Sequence, residues 1–318
     1  MTDNGIAKSA DAGRRSCREL MLNAYKAGSV IPAFNIPYLP MMAPVARALE
    51  DMNAFGFIAV ARCEWQRFES KSQEAVYQAY TKCHKEQWMR LHQDHVPAVD
   101  EDNTTVDYLS ILKNAVRLGY DSIMVDGSRL PLEENIAVTK QVVALVEEAD
   151  IAVEAELGAV LGHEAGPLPP YEELFASAKG FTSVEQARQF AAQTRIDWLS
   201  VACGNVHGAI QGAAKDAKKV RARLNIEHLA KLKQAAGVPL VLHGGSGIGR
   251  EYIMAAIANG IAKINIGTDI RQPYEQAIRQ GKSTQQAAEK VYEKTCYILK
   301  DYLKLENSRE IINPPSPV

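Results

Sequence analysis

The chain has 318 residues, 47% apolar and 23% charged, an ordinary globular composition long enough for one large α/β domain or two modest ones. A net charge of −2 and a pI near 6.4 give no basic footprint for nucleic acid or an anionic membrane, and no apolar run reaches the roughly 18–20 residues of a membrane span. The opening MTDNGIAKSADAGRRSCREL lacks a signal peptide's apolar stretch, and five scattered cysteines without a CxxC argue against a disulfide framework, so a reducing cytoplasm is the expected location.

Residues 1–29 read as an N-terminal helical segment. Short β-rich runs then alternate with stretches in which apolar residues recur at three and four. In chain order, a strand is expected at Val30–Ile36, a helix at Met41–Met52, strands at Phe57–Arg62 and Trp88–Gln93, and a helix at Val106–Leu118. A strand at Ser122–Asp126, a helix at Glu133–Glu148 and a strand at Ile151–Leu157 follow. HEAGPLPPYEELFASAK (His163–Lys179), with three prolines, reads as a long loop. A helix at Val184–Thr194, a strand at Trp198–Ala202, and a basic connecting stretch, Gly212–Leu224, come next. The barrel pattern closes with a helix at Ile226–Ala236, a strand at Pro239–His243, a helix at Glu251–Ala258 and a strand at Ala262–Ile266. Eight strands with intervening helices fit a single α/β domain, a closed (β/α)8 barrel over 30–270. Residues 271–318 add C-terminal helices and a frayed tail.

Histidine is scarce, seven in the chain, yet His95, His207 and His243 all fall where a strand gives way to a loop. A barrel gathers strand exits on one face, so three imidazoles there supply the ligand count of a catalytic metal with one position left for substrate. Each histidine alone would equally suit a loop cap. Asp94, beside His95, is placed to reach a substrate rather than the ion. Glu154 and Glu156, two apart in one strand, share a face; Glu156 is nearer the open end, and Glu154 is deeper and needs a partner. GNVHG (Gly204–Gly208), HGGSG (His243–Gly247) and NIGT (Asn265–Thr268) follow the last three strands. Their backbone N–H groups, with the hydroxyls of Ser246 and Thr268, suit a phosphate.

AFNI, LHQDH, DGS-x-LP-x-EEN, VEAELG, GNVHG, LHGGSG and KINIGT occur in one order between Val30 and Tyr274. With these motifs the chain resembles the class II, zinc-dependent ketose-bisphosphate aldolases, the family of fructose- and tagatose-bisphosphate aldolases. The resemblance implies reversible aldol cleavage of a ketose 1-phosphate or 1,6-bisphosphate to dihydroxyacetone phosphate and an aldehyde. It implies His95, His207 and His243 as ligands of one Zn2+, replaceable by other divalent metals, with Glu156 as a ligand when the ion shifts and room for an accompanying monovalent cation. Asp94, Asn35 and Glu164 match the catalytic positions: Asp94 on the substrate hydroxyl or carbonyl, Asn35 holding the enediolate, Glu164 moving the proton to carbon. Gly208, Gly244, Ser246 and Thr268 match the phosphate grip, with Asn265 beside the hydroxyls. The implied partner is a small sugar phosphate, and the implied assembly a homodimer or homotetramer.

Several positions depart from the family pattern. The acidic cluster around the mobile glutamate is reduced to His163-Glu164-Ala165, and Gly267 precedes Thr268 where aspartate is common. Ala59-Val60-Ala61-Arg62 replaces a Gln-x-Ser, and Arg129 stands where histidine is common. Arg62 and Arg129 are therefore candidates for a distal anion, with surface ion pairing the alternative. Two other functions fit parts of the pattern. A metal-dependent barrel hydrolase would need no phosphate loops and would show an HxH pair on the first strand, which is lacking. A non-catalytic sugar-phosphate-binding homologue would have little use for Asp94. Lys263 is read as structural.

Overall fold

The computed structural model describes residues 14–160, 170–207 and 222–315. Eight parallel strands pair in sequence order: β1 (Ile31–Asn35), β2 (Gly56–Ala61), β3 (Met89–Pro97), β4 (Ser122–Asp126), β5 (Ala152–Leu157), β6 (Trp198–Val201), β7 (Leu240–Leu242) and β8 (Ile261–Ile266). β8 pairs with β1 and closes the barrel, with Ala33 beside Asn265. The strands are buried along almost their whole length, as expected where helices cover the outside. The chain is a (β/α)8 barrel with helices following it.

The covering helices are α2 (Met42–Asp51), α3 (Arg62–Arg67), α4 (Gln73–Cys83), α5 (Tyr108–Leu118), α6 (Leu132–Leu145), α7 (Tyr171–Ser177), α8 (Val184–Thr194), α9 (Ile226–Ala236), α10 (Arg250–Ala258) and α11 (Thr268–Arg279). Local sequence sets many of their starts. Ser72, Asp107, Ser183 and Asn225 each accept the backbone N–H three residues on, which satisfies one orphan donor of the first turn. An N-terminal helix, α1 (Cys17–Lys26), seals the lower end of the barrel. Its Cys17, Leu20, Met21 and Ala24 pack with the inward residues Ile31, Phe57 and Trp198.

The structure departs from the sequence reading at four places. β3 continues through LHQDH to Pro97, so Asp94 and His95 lie within the strand rather than after it. Strand-interior polarity is tolerated because the side chains find partners inside the barrel. α3 and α4 fill a region read as neither strand nor helix. Residues 171–177 of the expected proline loop are helical: Pro170 caps α7 at its start, where a missing N–H is harmless, and Glu172 and Glu173 favour its first turn. The C-terminal extension is α12 (Thr284–Tyr297), a turn of π-helix at Ile298–Tyr302 and a short α13 (Arg309–Ile312). Far from fraying, its end docks under the barrel: Ile312 is fully buried, and Asn307 and Arg309 donate backbone N–H groups to the carbonyls of Met52 and Asn53.

One irregularity positions the functional face. The register between β3 and β4 slips between Gln93 and Val96. A regular strand would point Asp94 and His95 to opposite sides. With the slip, both reach the mouth of the barrel, as β-bulges commonly allow.

Candidate active site

At the carboxyl end of the strands, His95 from β3, His207 from the loop after β6 and His243 just past β7 come together. One ring nitrogen from each lies within 4.8 Å of the others. His95 Nε2 and His243 Nδ1 face each other at 2.6 Å. The loop carrying His207 is pinned by Asn205. Its side-chain carbonyl accepts the Cys203 N–H, and its amide donates to the carbonyls of Val201 and His243. Gly244 has φ +64°, and a Cβ there would lie 2.2 Å from the Val206 carbonyl oxygen, so only glycine lets these two loops touch.

The outer nitrogens decide what the inner ones can do. His243 Nε2 lies 2.7 Å from Glu154 Oε1, and His95 Nδ1 lies 3.3 Å from Asp126 Oδ2. Each carboxylate takes an N–H, which leaves an inward lone pair on His95 Nε2 and on His243 Nδ1. Two lone pairs so close repel unless a proton or a metal cation joins them, and a carboxylate behind each imidazole is the usual support of a metal-binding histidine. The donor set therefore fits a cation held by His95, His207 and His243. Without one, burial pulls His95 down, but Asp94, Asp126 and Glu156 outweigh it and hold His95 up at about 10. Burial and the His95 charge push His243 down to about 4. One proton thus occupies the pair.

Below the histidines lies a buried polar network. Glu154 accepts from His243, from the Trp198 indole and from Lys263, whose Nζ lies 2.7 Å away. Burial opposes the Glu154 charge, but Lys263 and His243 prevail and hold the carboxyl well below its usual range. Lys263 Nζ also lies 3.3 Å from His92 Nε2, and His92 Nδ1 meets Ser122 Oγ at 2.8 Å. His92, Asp94 and Glu154 form a second group with metal-like spacing. Lys263 already supplies the positive charge there, and burial with Lys263 lowers the His92 pKa, which favours the neutral ring. Neither His92 nor the role of Lys263 as partner to Glu154 was evident beforehand.

Asp94 is buried, and its two oxygens are claimed separately: Oδ2 accepts from Asn35 Nδ2 at 2.8 Å, and Oδ1 from Asn265 Nδ2 at 2.9 Å. Burial works against the charge, but His95, His92, His243 and Lys263 overcome it and keep Asp94 ionised well below the usual range. Among the described residues, Asn265 Oδ1 is buried without a hydrogen-bond partner. It lines one cavity with Asn35, Asp94, the three histidines, Gly244, Ser246 and Thr268. Ser246 Oγ accepts the Asp269 N–H in the first turn of α11.

Glu156, on β5, accepts from Ser200 at 3.1 Å and lies 3.9 Å from His95 Nδ1; burial and Asp126 push it up to about 8. It lines a second cavity, beyond His95, with Arg62 and Arg129. Arg62 pairs there with Asp100 at 3.3 Å. Glu164 and Gly208 lie outside the described residues. Two further charged residues line the first cavity, Glu64 and Arg271. Glu64 sits at the third position of α3, and its carboxylate accepts the Ala61 N–H, a capping geometry that the Ala-Arg-Cys-Glu run does not advertise.

A parallel barrel whose mouth gathers three histidines, a buried aspartate and glycine-rich loops defines a barrel enzyme built around a metal-binding group. The chain belongs to the class-II fructose-bisphosphate aldolases, whose family model matches residues 15–310. Among solved structures it is similar to the YdjI aldolase of Escherichia coli K12, at 27% identity over 92% of this chain and 98% of that one, with a TM-score of 0.72. It is also similar to a protein from Coccidioides immitis described as a putative fructose-1,6-bisphosphate aldolase, at 26% identity over 94% and 99%, TM-score 0.72. The fructose-bisphosphate aldolase of Campylobacter jejuni shares the fold at 17% identity over 91% and 94%, TM-score 0.66. Among the described residues no helix is long and apolar enough to cross a membrane.

Proposed function

We propose that this protein is a metal-dependent aldolase that reversibly cleaves a ketose 1-phosphate or 1,6-bisphosphate to dihydroxyacetone phosphate and an aldehyde. The observation that carries the reading is the pair of opposed imidazole lone pairs, His95 with His243, beside a cavity holding both an ionised Asp94 and an Asn265 carbonyl oxygen that has no partner among the described residues. His95, His207 and His243 would hold the cation, zinc in the first instance, and Glu156 would offer a further carboxylate ligand beside them. When bound, the cation supplies Lewis-acid stabilisation of developing negative charge on substrate oxygens.

The chain's own groups do the rest. Asp94 removes the proton from the C4 hydroxyl as the C3–C4 bond breaks, and Asn35 and Asn265 fix its orientation. Asn265 Oδ1 accepts a hydroxyl of the dihydroxyacetone half, and Asn35 Nδ2 faces the enediolate oxygen. Gly208, Gly244, Ser246 and Thr268 grip the phosphate at the start of α11, which provides orientation remote from the breaking bond. Glu164 returns a proton to carbon. Lys263 forms no Schiff base, because its ammonium is committed to Glu154. We further propose a cytoplasmic location and a homodimer or homotetramer built on the C-terminal helices, where Ile278 and Tyr297 remain exposed.

Treatment with EDTA is expected to abolish dihydroxyacetone phosphate release from a ketose phosphate, and zinc or cobalt to restore it. Full activity after exhaustive metal removal would overturn the reading, and a hydrolase would release inorganic phosphate or another hydrolysis product instead. Metal binding should also displace the proton shared by His95 and His243. Calorimetry near pH 7.5 in buffers of different ionisation enthalpy is expected to report about one proton released per zinc bound. No buffer dependence would mean that the imidazoles are not the ligands.

A further inference from the structure

The wall of the first cavity facing Asp94 carries chemistry that bears on the substrate's far end, given the aldolase reading above. Glu64 and Arg271 stand on this wall beside Asn35 and Phe68. A glutamate at the third position of a helix usually caps it in water, yet Glu64 is only 6% exposed. Its carboxylate accepts the Ala61 N–H at 2.8 Å and is hydrogen-bonded to the Asn35 side chain, which also serves Asp94. Glu64 makes no ion pair with the described residues. The cation of the wall is already engaged: Arg271 Nη1 donates to Glu275 Oε2 at 2.7 Å, both are buried, and the guanidinium lies over the Phe68 ring. Glu275 is fixed in turn by the Tyr38 hydroxyl at 2.6 Å. Arg62, paired with Asp100, and Arg129 line the second cavity, on the other side of His95.

A phosphate dianion brought to this wall would lose water beside Asp94 and Glu64 and, among the described residues, meet an arginine already paired with its own carboxylate. Buried anions need uncommitted cations or dedicated donors. Hydroxyl groups suit the same wall, since each can donate to a carboxyl oxygen of Glu64 or Asp94. We infer that Glu64 binds the aldehyde half of the substrate as an uncharged polyhydroxylated chain, so that the substrate is a ketose 1-phosphate without a second phosphate at its far end. Burial and the neighbouring Asp94 push Glu64 up to about 8, which lets a protonated carboxyl donate as well as accept near neutrality.

The test runs the reaction in the synthetic direction with zinc-loaded enzyme and dihydroxyacetone phosphate. Uncharged aldehydes (glycolaldehyde and both enantiomers of glyceraldehyde) are compared with both enantiomers of glyceraldehyde 3-phosphate. The best uncharged aldehyde is expected to exceed the best phosphorylated one in kcat/KM by about a hundredfold. Glu64→Ala is expected to cost the uncharged aldehyde about tenfold, mostly in KM, with recovery in Glu64→Gln. Glu275→Gln, which releases Arg271, is expected to narrow the ratio by about tenfold. A phosphorylated aldehyde used as well as or better than the uncharged ones overturns the inference, as does a ratio unmoved in both Glu64→Ala and Glu275→Gln. Exchange of a carbon-bound hydrogen of dihydroxyacetone phosphate with deuterated water, followed by NMR without any aldehyde, separates the two levels. If exchange proceeds but the preference is reversed, this inference alone falls; if no exchange occurs, the aldolase reading falls and takes this inference with it.

Discussion

Replacing Asp94 by alanine is expected to leave one bound metal per chain and to lower kcat by about 10²–10⁴-fold, the range of a lost general base. The two effects separate because the Asp94 oxygens are held by Asn35 and Asn265, whereas the inward imidazole nitrogens belong to His95, His207 and His243. The Asp94→Asn variant should recover little, since an amide offers one acceptor where two asparagines each donate. The pH profile carries a further sign. The folded Asp94 titrates well below an ordinary aspartate, so its charge is present above that range and is lost only as pH falls through the depressed value. Between pH 5 and 9 the wild-type profile should therefore show no acid limb from this group. Metal analysis beside steady-state kinetics checks the pair of outcomes. A wild-type rate in Asp94→Ala would end its role as base, and loss of metal would make it part of the ion's support.

The second large effect is expected in the interior. Lys263→Met should lower folding stability by about 3–5 kcal/mol, measured by denaturant unfolding, because it strands the fully buried Glu154 without its cation. Replacing Glu154 by Gln in the same chain removes the stranded charge and should recover most of that loss. The double variant should nevertheless bind zinc about 10–100-fold more weakly, since the carboxylate behind His243 has become an amide. Stability and metal affinity thus come apart in one pair of proteins. An unchanged unfolding midpoint in Lys263→Met would mean that the Lys263–Glu154 pair does not hold the interior together.

Strand periodicity made the barrel legible because several strands are continuous apolar runs, and the bounds of β4, α8 and α9 coincide with the sequence reading. β3 was read too short for the reason that makes it functional. Gln93, Asp94 and His95 look like a loop until the fold provides Gln73 of α4 for the first, Asn35 and Asn265 for the second and Asp126 for the third as hydrogen-bonding partners. The three histidines were legible from their common location, and Glu154 announced its need for a partner. That the partner is Lys263, 109 residues away, depends on closure of the barrel and has no local signature. Glu64 has no local signature, because RCEWQR lies in a stretch read as neither strand nor helix and nothing in it marks a buried carboxylate. Only the fold shows that the first turn of α3 is tucked against Asn35.

The slip in β3 has a mechanical corollary. Asp94 and His95 are successive links of one hydrogen-bonded strand, with α-carbons about 3.8 Å apart across a rigid peptide. A displacement of the barrel wall must carry Asp94 and His95 together, so the spacing between this base and this ligand is set by the strand itself and not by the loops that bring His207 and His243.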